Sequence, residues 1–292
     1  MRVSAHAAPT RIPDAPAEAG RRGQDRRDGF HPGMWIVWAT SAGLLAFTTT
    51  NPFYLAPLIA VAWFVYSAHR VAGPTGRSFR IFMVAGLAAM GIRTLLVFLG
   101  TVNAENVAYA AFEGMRLAAL LIVFGTFNAV TDPFGVVRLA PRRFHEPALA
   151  AALALSIAPR TIETVGRVRE AQELRGIRTS RLRSLPALAV PVLATGMEEA
   201  VTLAESMDAR GHGRGRRSRY RPERWTGPAI VVAAAAAAGA GVFASAWLGG
   251  PGGDGLQPST FPLLWPAADP LLLAAIALLA VPGLSRRRVE RP

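Results

Sequence analysis

The sequence predicts an all-α, polytopic membrane protein of about six transmembrane helices, with a helical cytoplasmic insert between spans four and five. Three observations predict it. Hydrophobic residues make up 51% of the 292 positions, yet the formal net charge is +13. The apolar residues are gathered into long runs nearly free of charge, with the arginines clustered between them. The loops also alternate along the chain between basic and non-basic.

All 32 basic residues are arginine, a skew that reflects GC-rich coding and does not make each arginine functional. A basic balance suits nucleic acid, anionic lipid or an acidic protein partner; alternation with apolar spans favours the membrane and its cytoplasmic loops. The absence of cysteine excludes disulfides, zinc-thiolate sites and cysteine catalysis. Five scattered histidines argue against a histidine-built metal cage, and no catalytic or metal-ligating set is assigned.

Residues 1–32 are rich in Ala, Pro, Arg and Gly without an apolar run, the composition of a disordered tail. The first apolar core starts only at Met34, too late for a secretory signal, so no cleavage is expected. From Met34 to Ala68 no side chain is charged. About 20 residues cross roughly 30 Å of hydrocarbon, so this run divides into two short spans, 34–50 and 52–69, at the turn Asn51-Pro52. A basic loop with His69, Arg70, Arg77 and Arg80 precedes a third span, 81–100. A short loop with Glu105 precedes a fourth, 107–130, closing a first membrane block over residues 33–130. Residues 131–226 hold 17 arginines with moderate apolar content, a peripheral segment. Span five covers 227–248, and the Gly-rich loop around Asp254 leads to span six, 263–284. A basic tail, 285–292, ends the chain.

The N-terminal tail, the 69–80 loop, the insert and the C-terminal tail are basic; the turns near Asn51, Glu105 and Asp254 are not. With six spans the two sets fall on opposite sides. Both termini and the insert are therefore expected in the cytoplasm of a bacterial cell membrane, where basic loops remain.

Two amphipathic helices are expected in the insert. The first runs from about Thr161 to Arg175, with Ile162, Val165, Val168, Ala171 and Leu174 three apart and Pro159 at its start. The second follows Pro186 and Pro191, with Leu193, Met197, Ala200, Val201, Ala204 and Met207 on one stripe. Both close on Arg-Gly: Ala171 to Leu174, then Arg175-Gly176, and Ala209-Arg210-Gly211. Arginine suits the negative end of a helix, and glycine takes the left-handed conformation that turns the chain away. Each alone reads as an ordinary helix cap. The pair, 35 residues apart (175 and 210), reads as two guanidinium groups projecting from blunt helix ends toward carboxylates.

These residues resemble the transmembrane T component of energy-coupling-factor transporters, the family that includes the cobalt-transport membrane subunit. The matching pieces are His31-Pro32, Asn51-Pro52, Thr131-Asp132-Pro133, Ala158-Pro159-Arg160, Ala171-Gln172-Glu173-Leu174-Arg175-Gly176 and Glu205-Ser206-Met207-Asp208-Ala209-Arg210-Gly211, over about residues 30–248. The resemblance implies a non-catalytic coupling subunit for uptake of a vitamin or a transition-metal ion. It implies that Ala171, Arg175, Gly176, Ala209, Arg210 and Gly211 dock into two ABC-type ATPase subunits, which bind the ATP and magnesium. It further implies that the insert's apolar faces carry a small substrate-binding membrane protein, the S component. The long N-terminal tail and the sixth apolar segment depart from the family pattern.

Other readings compete. Glu170-Ala171-Gln172, followed by Gly176 and Leu185-Pro186, resembles the EAA loop of ordinary ABC importer permeases, which leaves Arg210-Gly211 unexplained. A membrane-embedded lipid-modifying enzyme would want clustered acids or histidines, and Asp132 and Glu146 beside Arg142 and Arg143 are the best group present. Nucleic-acid binding by 210–224 has charge but only Tyr220 and Trp225 to stack bases; anionic lipid explains that cluster equally well, so lipid and not nucleic acid is the expected partner. A chain without lysine has no Gly-x-x-x-x-Gly-Lys loop, so no cofactor is expected on it. Within the spans, Glu113 and Arg116 are three apart and are expected to pair, while Arg93 lies alone in span three.

Overall fold

The computed structural model describes residues 30–69, 75–100, 102–176, 185–212, 225–259, 261, 264 and 266–284. Residues 1–29 of the expected tail 1–32, the tail 285–292 and the arginine-rich stretch 213–224 lie outside the described residues; Pro32, expected in the tail, begins the first helix. Among the described residues there are helices and no strand. In chain order they are α1 (Pro32–Thr48), α2 (Pro52–His69), α3 (Thr75–Leu95, with a tighter turn Leu96–Leu99), α4 (Ala104–Val130) and α5 (Pro133–Arg138). They continue with α6 (His145–Leu174), α7 (Leu185–Ala209), α8 (Gly227–Trp247), α9 (Pro270–Leu278) and α10 (Val281–Leu284).

Four of these helices begin on one local device. His31, Asn51, Asp132 and Asp269 each precede a proline, and each side chain accepts a hydrogen bond from the amide two residues on, at 3.1, 2.9, 3.2 and 2.8 Å. The side chain satisfies an amide that the first turn leaves orphaned, and proline fills the first helical position where no amide is missed. The His31-Pro32, Asn51-Pro52 and Asp132-Pro133 pieces of the sequence are therefore helix starts.

The core lies between α1, α2, α4, α8 and α9, around fully buried Trp38, Leu45, Tyr54, Leu58, Phe243, Leu272 and Ile276. α3 packs chiefly along α4. There glycine and alanine allow close approach: a Cβ on Gly114 would stand 2.9 Å from the Met90 Cα, and one on Gly86 3.2 Å from the Ala118 Cα. Without a hydrophobic force between helices in lipid, such small-residue contacts carry the association.

The corner Asn51-Pro52 is tied to the far end of the chain. Asn51 is fully buried, and its Nδ2 donates to the carbonyls of Gly255 and Ala267, each at 2.7 Å. Thr49 donates to the Leu256 carbonyl at 2.7 Å, and the Asp269 amide donates to the Tyr54 hydroxyl at 2.7 Å. Both hydrogens of the Asn51 amide thus go to a loop more than 200 positions away, while its oxygen accepts from the Phe53 amide.

The sixth span, expected as one helix over 263–284, is corrected. It consists of the nine-residue α9 and the single turn α10. Pro266 and Pro270 supply no amide and bias the residue before each toward extended backbone, so helix begins only at Pro270. A nine-residue helix rises about 14 Å, half a bilayer core. The two pieces nevertheless run the depth of the bundle, from Asp269 beside Tyr54, past the Leu279 carbonyl that accepts from Trp38 Nε1 at 2.9 Å, to Gly283 against Phe64.

Six helical stretches are long and apolar enough to cross a membrane: Pro52–His69, Arg77–Leu99, Ala104–Val130, Glu146–Leu174, Pro186–Ala209 and Gly227–Trp247. The count matches the sequence reading and the membership differs. α1 has 17 residues and α9 is shorter still, whereas the two insert helices are long. The chain is an all-α, multi-pass membrane protein.

Candidate functional site

The two arginines stand where the glycines put them. α6 ends at Leu174, with Arg175 at the cap, and its amide donates to the Gln172 carbonyl at 3.1 Å. Gly176 then takes φ +80°, and its amide donates to the Glu173 carbonyl at 3.0 Å. α7 ends at Ala209, with Arg210 next and Gly211 at φ +76°. The Gly211 amide donates to the Asp208 carbonyl at 2.9 Å and the His212 amide to the Met207 carbonyl at 3.0 Å. That is a complete Schellman closure. Ala171, Arg175, Gly176, Ala209 and Arg210 are exposed and Gly211 is half-buried. Neither arginine has an ion-pair partner among the described residues. The chemistry available is two unneutralised guanidinium groups, each at the negative end of a helix, open to a carboxylate.

The two helices are longer than the sequence stripes suggest. The first, expected from Thr161, begins at His145 and runs through Pro159, which lies inside it and not at its start. The second, expected to follow Pro191, contains it. A proline within a helix breaks one hydrogen bond and bends the axis without ending the helix where neighbouring turns continue. No apolar residue of α6 or α7 is buried among the described residues. Ile162, Val165, Leu174, Leu193, Met197 and Val201 all stand open, and an apolar cleft over α6 is lined by Ala154, Ile157, Ala158, Thr161, Ile162 and Val165.

α6 and α7 touch where α6 ends and α7 begins: Gln172 Nε2 donates to the Ala187 carbonyl at 3.3 Å. Arg175 therefore lies beside the contact and Arg210 at the far end of α7. The two are not brought together.

Both roots of the insert meet the start of α1. A Cβ on Gly135 would stand 2.7 Å from Pro32 Cγ. Trp225 stacks on His31, with ring centroids 4.3 Å apart at 19°. Sequence reasoning missed this junction; its only signal was Trp225 at the end of the arginine-rich stretch.

Arg116 donates to Glu113 Oε2 at 2.8 Å, both side chains partly buried. Their depth follows from register. Thr126 Oγ1 donates to the Ala62 carbonyl at 3.3 Å, and α2 and α4 run the same way. Arg116 precedes Thr126 by as many residues as Pro52 precedes Ala62, so the pair lies level with the Asn51-Pro52 corner. Arg93 is half-buried on α3, without an ion-pair partner among the described residues. No cluster of three or more His, Asp or Glu side chains occurs among the described residues.

No family model matches the chain. It is 31% identical over 154 residues to the energy-coupling factor transporter transmembrane protein EcfT of Bacillus selenitireducens, covering 47% of this chain and 58% of that protein. Proteins of the same name from Exiguobacterium sibiricum (35% over 101 residues, 32% of this chain, 37% of that one) and Bacillus subtilis (30% over 138 residues, 41% and 52%) are also similar. The chain spans about half the length of the curated relatives it matches. On its motifs and on these relatives alike, the chain resembles the transmembrane T component of energy-coupling factor transporters.

Proposed function

We propose that this chain is the non-catalytic coupling subunit of an ATP-driven importer for a vitamin or a transition-metal ion. It joins two ABC-type ATPase subunits to a small substrate-binding S component in the bacterial cell membrane. The observation that carries the reading is the pair of exposed arginines, Arg175 and Arg210, each at a glycine-stopped helix end. Two such ends suit two copies of an ATPase, whose acidic groove residues receive a guanidinium by bidentate hydrogen bonds. The chain itself holds no cofactor; ATP and magnesium belong to the ATPases. Closure of the ATPases on ATP shifts the insert between two arrangements, because the nucleotide favours one of them. The uncovered apolar faces of α6 and α7 fit lipid and the S component, and residues 131–226 form this cytoplasmic coupling insert with both termini on its side of the membrane.

The test is co-purification of the chain with ATPases from the same genome. Replacing both arginines, Arg175→Glu and Arg210→Glu, is expected to abolish complex formation and uptake while the membrane part still purifies. Survival of both activities in the double variant overturns the reading.

A further inference from the structure

We propose that Gln172 and Pro191 form the pivot between the two arginine-tipped helices, which makes Gln172 a positioning residue for Arg175 and Arg210. The inference rests on the coupling role proposed above and adds the element that sets its geometry. Pro191 has no amide, so the carbonyl four residues earlier in α7, that of Ala187, lacks its intrahelical donor. That carbonyl is the one that receives Gln172 Nε2, at 3.3 Å. The proline frees an acceptor and the glutamine of the other helix takes it.

Gln172 is also the only buried residue of α6 or α7 among the described residues. Its backbone carbonyl accepts the Arg175 amide at 3.1 Å. One residue thus holds the arginine cap with its main chain and the neighbouring helix with its side chain. Its Oε1 is buried without a hydrogen-bond partner among the described residues. A buried amide held by one bond fixes a point of contact and leaves the angle about that point soft, unlike a fully bonded network, which rigidifies. Apolar packing between the helices is thin, since no apolar residue of either is fully buried among the described residues.

The experiment measures that angle directly in the full-length chain in lipid nanodiscs. The chain has no cysteine, so nitroxide labels on Glu170→Cys and Glu205→Cys, both exposed, report one distance without background. Gln172→Met keeps the length of the side chain and removes the amide. Pro191→Ala leaves Gln172 in place and restores an amide that competes for the Ala187 carbonyl. Both are expected to broaden or displace the distance distribution measured by pulsed electron resonance, with the thermal transition of the membrane part unmoved. In the complex reconstituted with ATPases and S component, both are expected to lower uptake per ATP hydrolysed several-fold while ATPase binding persists. An unchanged distribution in both variants overturns the pivot, whatever the arginine double variant does. A changed distribution establishes it even if that double variant still assembles, in which case the docking reading alone falls.

Discussion

Gly176 and Gly211 hold φ near +80°, a region that costs an L-residue about 1–2 kcal/mol. At Gly211 two backbone hydrogen bonds depend on it. Gly211→Ala should therefore fray the last turn of α7, raising amide exchange across 207–212, whereas Gly211→Asn should stay close to the parent because Asn tolerates this conformation. Equal exchange in the two variants would contradict the closure described. These glycines were legible in the sequence, since a glycine after the last apolar position of a helical stripe has few other uses. The bulk of the arginines was legible only as topology. Gln172 was visible as a letter in a motif, but its partner was not. The acceptor it takes is exposed by a proline 19 positions on (172 and 191), and nothing local links the two.

Among the elements, the helix starts marked by a cap and a proline were readable, whereas the starts of the two insert helices and their lengths were not. A cap followed by proline is written in adjacent residues, as at His31, Asn51 and Asp132. The run of α6 through Pro159 is set instead by competition between one lost hydrogen bond and the turns on either side. The corner at Asn51 shows the same division. Its turn follows from Asn-Pro, but its attachment to Gly255 and Ala267 depends on a chain segment that only the folded bundle brings there. Removing the side chain with Asn51→Ala leaves the carbonyls of half-buried Gly255 and exposed Ala267 without their donor, at about 0.5–1.5 kcal/mol for each lost hydrogen bond. The expected result is a clear fall in the thermal transition of the purified protein, with Asn51→Asp at least as damaging because its carboxylate faces the same two oxygens. A transition unchanged in both variants would mean that the C-terminal segment is held by apolar packing alone.

For the molecule as a whole, the alternation of basic loops predicts one orientation, with the insert and termini inside. The absence of cysteine makes this directly testable. In intact cells Asp254→Cys should react with an impermeant maleimide, and Glu205→Cys should react only after lysis; both positions are exposed. The reverse pattern would invert the topology. The sequence marked six apolar segments; the bundle turns the last into two short pieces, because prolines control where helix can begin there.

The place where α6 and α7 meet has a mechanical consequence. Arg175 lies three residues from Gln172, about 5 Å, whereas Arg210 lies twenty-three residues beyond Ala187, about 35 Å along α7. The pair is a lever with a short arm and a long one. A rotation of about 10° at the fulcrum displaces Arg175 by about 1 Å and Arg210 by about 6 Å, from the helical rise alone. Under the coupling role and the pivot proposed above, two chemically alike ends would have unlike tasks: one holds station at the hinge, and the other carries nearly all of the stroke.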